Sequence, residues 1–294
     1  MPMQKFKDIE VRNLSEFISF IQTIKDVECK GDDNQVISFK QKGVYYRGQP
    51  DIKQELRPGL FRKKDGNNIV GKEYELLQQA QRIAYYELSK CNTYTEKLII
   101  LQHYGLLTRL LDITFNPLIA LYFACLDCFD KKEANGVVYC GHINDTSQDA
   151  VETVSKMAFL LKDYNTEFSL EVLRKYLPSN ENESVLLNSL CMPHYVYPPL
   201  NNSRITSQNG AFLIAPFLKK DRDNNFIKIR EYEFEIGNGD KLFYNNRAII
   251  PYDKKNTILE ELTEFGIDEG SIYPELDYKL RVINNNVNTS NINI

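Results

Sequence analysis

The sequence predicts an α+β fold with a mixed, mainly antiparallel sheet, one buried helix and several flanking helices. Short β-branched and aromatic segments between turn residues predict strands, and longer segments with apolar residues at helical spacing predict helices. Strands and helices do not alternate regularly, which argues against a doubly wound parallel sheet. The 294 residues suffice for one large domain, or two modest ones, with a sizeable core.

The strands are predicted from composition and from the turn residues beside them. VISF and VYY come first, and a loop that carries Pro50, Pro58 and Gly59 follows them. The predicted strands cover residues 36–39, 44–46, 136–143, 211–214, 226–229, 232–236 and 247–250.

The helix predicted at residues 116–130 is expected to be buried, because NPLIALYFACLDCFD is apolar nearly all round. Asn116 suits its N-cap and Pro117 its first turn. Gly105 and Gly266 are expected to end the helices that precede them. The other predicted helices cover residues 14–28 (with Ser15 as its cap), 71–90, 95–104, 149–162, 168–176 and 254–266.

Three parts are predicted along the chain. A helical lead-in occupies residues 1–30, and the main domain occupies residues 31–283, with a helical insertion at about 144–190. The tail, residues 284–294, lacks the apolar content to pack and is expected to be disordered.

Composition excludes several classes of protein. A net charge of −4 argues against a protein that coats nucleic acid non-specifically. No run of eighteen apolar residues is present, so no membrane span is predicted. The start has no apolar signal region, which predicts a cytoplasmic protein whose six cysteines are reduced. Cys125 and Cys128 form a lone CxxC in a predicted helix, which favours core packing over a metal site.

Polar residues stand among apolar neighbours in LQHYGLLTRLLDITFNPLIALYFAC, residues 101–125. Arg109 and Asp112 are candidates for a structural ion pair, because the spacing of three suits one helical turn. In a strand the same two side chains would face opposite sides. His103 is either a hydrogen-bonded core residue or a catalytic base.

Two later segments also carry candidate chemistry. The Asn-Gly at 209–210 is typical of a hairpin turn, whereas Gln208 beside it is suited to face a ligand. Glu231, Glu233 and Glu235 alternate, so in a strand they share one face. That face is either a solvated edge or a set of carboxylates able to polarise a sugar hydroxyl.

Four ordered segments resemble the FRG domain family, named for a Phe/Tyr-Arg-Gly motif. They are the Tyr46–Gly48 triplet, residues 101–125, RITSQNGAFLI at 204–214 and GIDEGSIYPELD at 266–277. The resemblance covers roughly residues 35–280. Leu107 replaces the usual proline and Ile113 the usual tryptophan, which affects the expected local turn geometry more than the family assignment. The sequence has no P-loop, GxGxxG, GxSxG or HExxH motif.

The resemblance implies a component of bacterial toxin-like or anti-phage defence systems. The motif order is also similar to that of ADP-ribosyltransferases, which implies NAD as a substrate and a protein or nucleic-acid acceptor. In that arrangement Arg47 holds the NAD phosphate or ribose, Thr114 stabilises the site, and either Glu233 or Glu235 assists the sugar cation. An NAD glycohydrolase uses the same parts with water as the acceptor.

The remaining site assignments follow the same likeness. Gly48 is expected to let the backbone approach the ligand, and Tyr46 or His103 to orient the nicotinamide end. Gln208 is expected to polarise the ribose, and Arg109 is a further candidate for a cofactor contact.

Two other functions stay open from the sequence, as does the question of whether the chain is an enzyme. A non-enzymatic module would use the Arg47 pocket to sense a nucleotide or a phage component. A nucleic-acid-binding or cleaving protein would use the basic strip of Arg57, Arg62, Lys63 and Lys64. The partner of Arg47, a ligand anion or Asp112, is the observation that bears on all of them.

Overall fold

The computed structural model describes residues 7–25, 28–30, 36–38, 43–63, 69–127, 133–142, 147–162, 167–178, 183–199, 203–235 and 242–274. The strands in these ranges are β1 Lys7–Glu10, β2 Glu28–Lys30, β3 Val36–Ser38, β4 Val44–Gln49, β5 Leu110–Thr114, β6 Gly136–His142, β7 Glu167–Phe168, β8 His194–Val196, β9 Gly210–Ile214, β10 Leu218–Lys220, β11 Phe226–Lys228 and β12 Phe243–Ile250. The α-helices are α1 Leu14–Lys25, α2 Glu73–Ile83, α3 Tyr85–Leu88, α4 Tyr94–His103, α5 Pro117–Cys125, α6 Gln148–Leu160, α7 Leu170–Arg174, α8 Glu183–Ser189, α9 Ser203–Ser207, α10 Lys255–Glu264 and α11 Glu269–Ile272.

The main sheet has seven strands in the order β1-β12-β6-β4-β5-β9-β8. Only the β1–β12 pair within it is parallel, and every other neighbouring pair is antiparallel. A three-stranded antiparallel sheet, β10-β11-β7, and the β2–β3 pair complete the described strands. The predicted α+β class with a mixed, mainly antiparallel sheet is therefore confirmed.

Several strand predictions need correction. Residues 232–236 were expected to form a strand, but residues 231–235 lie outside any described strand. Their exposure still alternates, and the Phe234 N–H bonds the Leu56 carbonyl at 3.0 Å, so one main-chain bond replaces a ladder. The strand β5 was not predicted, because LLDIT lies between a glycine turn and a helix cap.

The helix boundaries differ from prediction where local backbone geometry intervenes. The predicted helix 71–90 is divided at Ala84, whose ψ of 31° leaves the helical range. The first helix is capped by Asn13 rather than Ser15, since the Asn13 side chain accepts the Glu16 N–H at 2.9 Å. At α5 the predicted cap is confirmed, because Asn116 accepts the Leu118 N–H at 2.9 Å and Pro117 occupies the first turn.

Two helical clusters cover the same face of the sheet. The first, with α1, α5 and α10, packs on the β4 side through residues such as Tyr46 and Val138. The second, with α2, α4 and α6, packs on the β5 side through Leu110 and Phe212. Tyr46 pairs with Thr114, which alternates with Leu110 through Asp112, so all of these side chains share one face. A groove therefore separates the two clusters.

The two halves of the sheet meet at a single residue pair. The β4 strand pairs with β6 over six residues, and β5 pairs with β9 over five. Between β4 and β5 the ladder contains only Tyr46 opposite Thr114. The strands diverge beyond it, which leaves a gap between Arg47–Gln49 and the start of β5.

The helix α5 lies unusually close to the sheet because two glycines face it. A Cβ at Gly48 would lie 1.8 Å from the Ala120 carbonyl oxygen, and one at Gly136 would lie 2.1 Å from that of Ala124. The first contact gives Gly48 a packing role beside the expected one, because its missing side chain makes room for a helix. Gly48 nevertheless also lines the cleft described below.

The domain boundaries at 30, 144–190 and 283 remain predictions. Two helices from the predicted insertion, α6 and α8, pack in the same core as Phe212 and Ile214 of the main sheet. The expected turn at 31–35 and the expected disordered tail at 284–294 lie outside the described residues.

Substituting Gly48→Ala is expected to destabilise the protein by about 1–3 kcal/mol or more, because α5 must move away from β4. Urea unfolding followed by circular dichroism measures the change. Gly105→Ala is the matched comparison, since that glycine has open space but a positive φ of 89°. Equal stability of Gly48→Ala and the wild type would contradict the packing argument.

Candidate functional site

A cleft of about 390 Å³ lies where the sheet divides, which is a volume suited to a small organic ligand. One wall comes from β4 and α5, and the other from α4, β5, α9 and β9. The predicted site residues along it are Tyr46, Arg47, Gly48, His103, Thr114 and Gln208. The structure thus brings together residues that are up to 162 positions apart in sequence (Tyr46 to Gln208).

Arg47 lies at the gap between β4 and β5. It alternates with Tyr46 and Gly48, so its side chain starts from the opposite face of the sheet. Its Nη1 donates to the Asp112 carbonyl oxygen at 2.6 Å, and the Asp112 carboxylate is 3.8 Å away. Arg47 therefore lines the cleft and contacts Asp112, while its contact with a ligand anion stays a prediction.

The environment of the Arg47 guanidinium is costly for a cation. The side chain is only 11% exposed, and burial lowers its pKa to about 10, with the Asp112 carboxylate acting in the opposite direction. Its Nε–H is buried and has no hydrogen-bond partner among the described residues. Arg47 lines the cleft, so an anionic ligand there would offset part of the cost of its buried charge.

The charges along the cleft are predominantly positive. Three arginines line it, namely Arg47, Arg62 and Arg204, against one described carboxylate, Asp112. Arg204 lies on α9, with its guanidinium 4.7 Å from the centre of the Tyr273 ring. Arginine binds phosphate and carboxylate oxygens in a bidentate manner, so this arrangement suits an anion with several oxygens.

Aromatic and apolar side chains also line the cleft. Tyr46 is buried, and desolvation raises the pKa of its hydroxyl. His103 ends α4, and its ring centre is 5.3 Å from that of Tyr104, which is 70% exposed. Phe123 of α5 also lines the cleft. The half-buried rings of His103 and Phe123 supply a flat surface on which a base can stack.

Thr114 and Gln208 connect two segments at the end of the cleft. The Thr114 hydroxyl donates to the Gln208 carbonyl at 2.6 Å and accepts the Asn116 N–H at 3.0 Å. The Gln208 amide donates to the Ile272 carbonyl at 3.4 Å. The predicted hairpin turn here is wrong, because residues 203–207 form α9 and Asn209 adopts a φ of 44° before β9. These bonds fix the positions of both side chains at the cleft wall.

The predicted Arg109–Asp112 ion pair is corrected by the structure. Arg109 directly precedes β5, is 1% exposed, and binds both carboxylate oxygens of Glu73 at 2.5 and 2.7 Å. Asp112 accepts a bond from Gln102 at 2.9 Å instead, on the cleft side of the strand. The strand conformation separates the two side chains, and the buried position of Arg109 removes it from the cleft lining.

Arg109 and Lys228 are the two cations of a buried cluster around the Glu73 carboxylate. Lys228 lies 3.4 Å from the same Glu73 carboxylate. The Arg109 guanidinium also donates to the Ala215 and Pro216 carbonyls at 3.2 and 2.9 Å. Burial acts to raise the pKa of Glu73, but Arg109 and Lys228 prevail and hold it below its usual range. This cluster ties α2 to β5 and to the end of β9.

The structure does not bring Glu233 and Glu235 to the cleft. The Glu233 carboxylate is 3.1 Å from Arg57, and Glu231 is 2.8 Å from Lys63. Two residues of the basic strip that the sequence suggests for nucleic-acid binding, Arg57 and Lys63, therefore have acidic partners. Lys64, the last member of that strip, lies outside the described residues.

Cys125 is buried in α5, where desolvation raises the pKa of its thiol to about 12, while Cys128 lies outside the described residues. In the described part of the chain, no group of three or more His, Cys, Asp or Glu side chains is arranged to hold a metal ion. None of the helices found there has the length and apolarity to cross a membrane.

Sequence reasoning missed three contributors to the site. Gln102 directly precedes His103 and was passed over, although it forms a hydrogen bond with Asp112. Arg62 belongs to the predicted basic strip, and no signal in the sequence indicates that it lines a cleft. Gln102 and Arg204 do carry a signal, since both stand in segments that resemble the family, at 101–125 and 204–214.

Fold and site together define an α+β protein with a cleft of about 390 Å³, lined by three arginines, at the division of its sheet. Residues 42–133 match the family model of the FRG domain. This range includes β4, α4, β5 and α5, and thus much of the cleft wall, while the segments at 204–214 and 266–277 lie beyond it. No curated protein matches the chain. No solved structure matches it either.

Substituting Glu73→Gln is expected to lower the free energy of unfolding by about 3–5 kcal/mol at neutral pH, because Arg109 and Lys228 lose their carboxylate. A depressed folded-state pKa stabilises the wild type above the unfolded value near 4.3, and this contribution is lost as pH falls through the folded value. Urea titrations at neutral and acidic pH should show the gap between the proteins narrowing in acid. A constant gap would contradict this assignment.

Proposed function

We propose that the cleft binds a phosphate-bearing nucleotide, with NAD as the leading substrate, and that the FRG domain acts as an ADP-ribosyltransferase or NAD glycohydrolase. The observation that carries the proposal is the Arg47 guanidinium, which is buried at the cleft with an unpartnered Nε–H. Burial of a cation costs free energy, and a phosphate oxygen would return part of it.

Other features of the cleft support a nucleotide over a simple inorganic anion. The volume of about 390 Å³ exceeds what one phosphate needs, and the lining includes Phe123 and Tyr46 beside the arginines. A dinucleotide presents two phosphates to cations and two planar bases to aromatic rings. Gln208 and Thr114 add polar groups suited to ribose hydroxyls.

A role in bacterial toxin-like or anti-phage defence is part of the same proposal and rests on the resemblance of the motifs. Depletion of NAD, or modification of a host macromolecule, would give such a protein its effect. The acceptor for transfer is a protein, a nucleic acid or water. Growth and NAD content of cells that express wild-type protein or Arg47→Ala test this role directly.

A second candidate function is a nucleotide-binding sensor without catalysis. The observation that favours it is the position of Glu233 and Glu235 outside the cleft. In that case Arg47, Arg62 and Arg204 bind the anion and the protein passes the signal to a partner. Nucleotide binding without nicotinamide release distinguishes this function from the enzyme.

Binding is predicted to depend on Arg47 and Arg204. Arg47→Ala should weaken binding of ADP-ribose about 10- to 100-fold, because one charge-assisted hydrogen-bonding group is worth about 1.5–3 kcal/mol. Isothermal titration calorimetry measures the change. Arg204→Ala should behave similarly, while Arg82→Ala, an exposed arginine of α2 outside the cleft, should bind as the wild type does. Equal binding by Arg47→Ala and Arg82→Ala would overturn the proposed anion contact.

Catalysis is predicted to release nicotinamide from NAD in the presence of purified protein. Chromatography separates nicotinamide from ADP-ribose, and biotin-labelled NAD reports transfer to protein or nucleic acid acceptors. Free ADP-ribose in equal amount to nicotinamide indicates hydrolysis, and label on a macromolecule indicates transfer. NAD binding with neither product would leave the sensor function in place of the enzyme.

A further inference from the structure

Asp112 is the only carboxylate among the described residues that line the cleft. Its side chain is 67% exposed, so a ligand in the cleft can reach it. It lies on β5 with Leu110 and Thr114 on the same face, directly across the gap from Arg47. A carboxylate beside three arginines weakens the attraction of the cleft for an anion. Its presence there is explained if the carboxylate has a role of its own.

The carboxylate is held in place by a chain of hydrogen bonds. The Gln102 Nε2 donates to Asp112 Oδ1 at 2.9 Å. The Thr108 hydroxyl donates to Gln102 Oε1 and accepts the Leu110 N–H at 3.1 Å. Because the Gln102 oxygen is occupied by a donor, its amide nitrogen must face Asp112. The second carboxylate oxygen, Oδ2, is left beside the Arg47 Nη1, at 3.8 Å.

We propose that Asp112 is the catalytic carboxylate of the cleft and that Gln102 and Thr108 are its positioning residues. This inference rests on the proposed function and changes its catalytic centre, since Glu233 and Glu235 were expected there from the resemblance. The arrangement of Asp112 beside Arg47 matches a substrate that is anionic at its diphosphate and cationic at its nicotinamide ribose.

The step assigned to Asp112 is cleavage of the bond between ribose C1′ and the nicotinamide nitrogen. The bonding electron pair leaves with nicotinamide, which becomes neutral, and positive charge develops on the ribose. The Asp112 carboxylate stabilises that charge and accepts the proton of the attacking water or acceptor hydroxyl as the new C1′–O bond forms. The products are ADP-ribose, free or attached to the acceptor, nicotinamide and one proton.

The test compares Asp112→Asn with Asp149→Asn, an exposed aspartate of α6 outside the cleft. The asparagine oxygen can still accept the Gln102 bond, so the shape of the wall is preserved while the charge is lost. Nicotinamide release by Asp112→Asn should fall by about 100-fold or more in kcat. Its Kd for ADP-ribose should be no more than about 3-fold above the wild-type value, because the arginines are unchanged and a carboxylate that opposes anion binding is removed.

Gln102→Ala tests the positioning chain. It should lower kcat by about 10-fold with KM nearly unchanged, because the carboxylate remains but loses its orientation. Gln102→Glu should lower kcat as well, since its oxygen cannot donate to Asp112. A change in KM alone, in either variant, would show that Gln102 serves binding and would overturn its positioning role.

The outcomes separate this inference from the proposed function. If Asp112→Asn turns over NAD at the wild-type rate, the Asp112 assignment is overturned, while the proposal of an NAD-using enzyme still holds. Loss of turnover in a Glu233→Gln, Glu235→Gln double variant, with full turnover in Asp112→Asn, overturns it in favour of the glutamates. Wild-type protein that binds NAD without turnover overturns both. Retained ADP-ribose binding by Asp112→Asn serves as the check that the variant is folded.

Discussion

The ladder that joins the two halves of the main sheet contains one pair of residues, Tyr46 and Thr114. Each half has a longer ladder and its own helical cluster on one face, while a third cluster of buried side chains, including Tyr139 and Leu213, spans both halves. The gap beyond the pair removes main-chain partners from part of β4 and β5. The Arg47 guanidinium fills part of that gap by binding the Asp112 carbonyl, which accounts for a charged residue at the centre of a sheet.

The walls of the cleft at this gap are held in place by bonds within the protein. Its rigid parts are the buried Arg109–Glu73 pair behind β5 and the Thr114 bonds at the end of that strand. Groups held by such bonds can be presented to a ligand without the entropy cost of ordering them first. Among the charged groups of the cleft, Arg47 keeps its Nε–H without a hydrogen-bond partner in the described residues.

Local chemistry made some elements predictable from the sequence. The helix α5 carries its own start signals in Asn116 and Pro117 and an apolar composition that requires burial. Six of the predicted site residues, from three separate segments of the chain, line one cleft, and their roles there stay predictions. In contrast, the partner of Arg109 is 36 residues away, and no local pattern indicates Glu73. The spacing of Arg109 and Asp112 suggested a helical turn only because LLDIT has too few residues to display a strand period.

Gly48 and Arg47 are neighbours in one short motif, yet a different physical constraint requires each of them. The glycine is required by the approach of the Ala120 carbonyl, whatever the cleft contains. The arginine is required by the gap and by the anion that we propose to occupy it. Either constraint can therefore be lost without the other. A chain that kept this fold but no longer used the cleft is expected to retain the glycine while the arginine varies. Retention of the glycine would then indicate the fold, and retention of the arginine would indicate that the cleft is used.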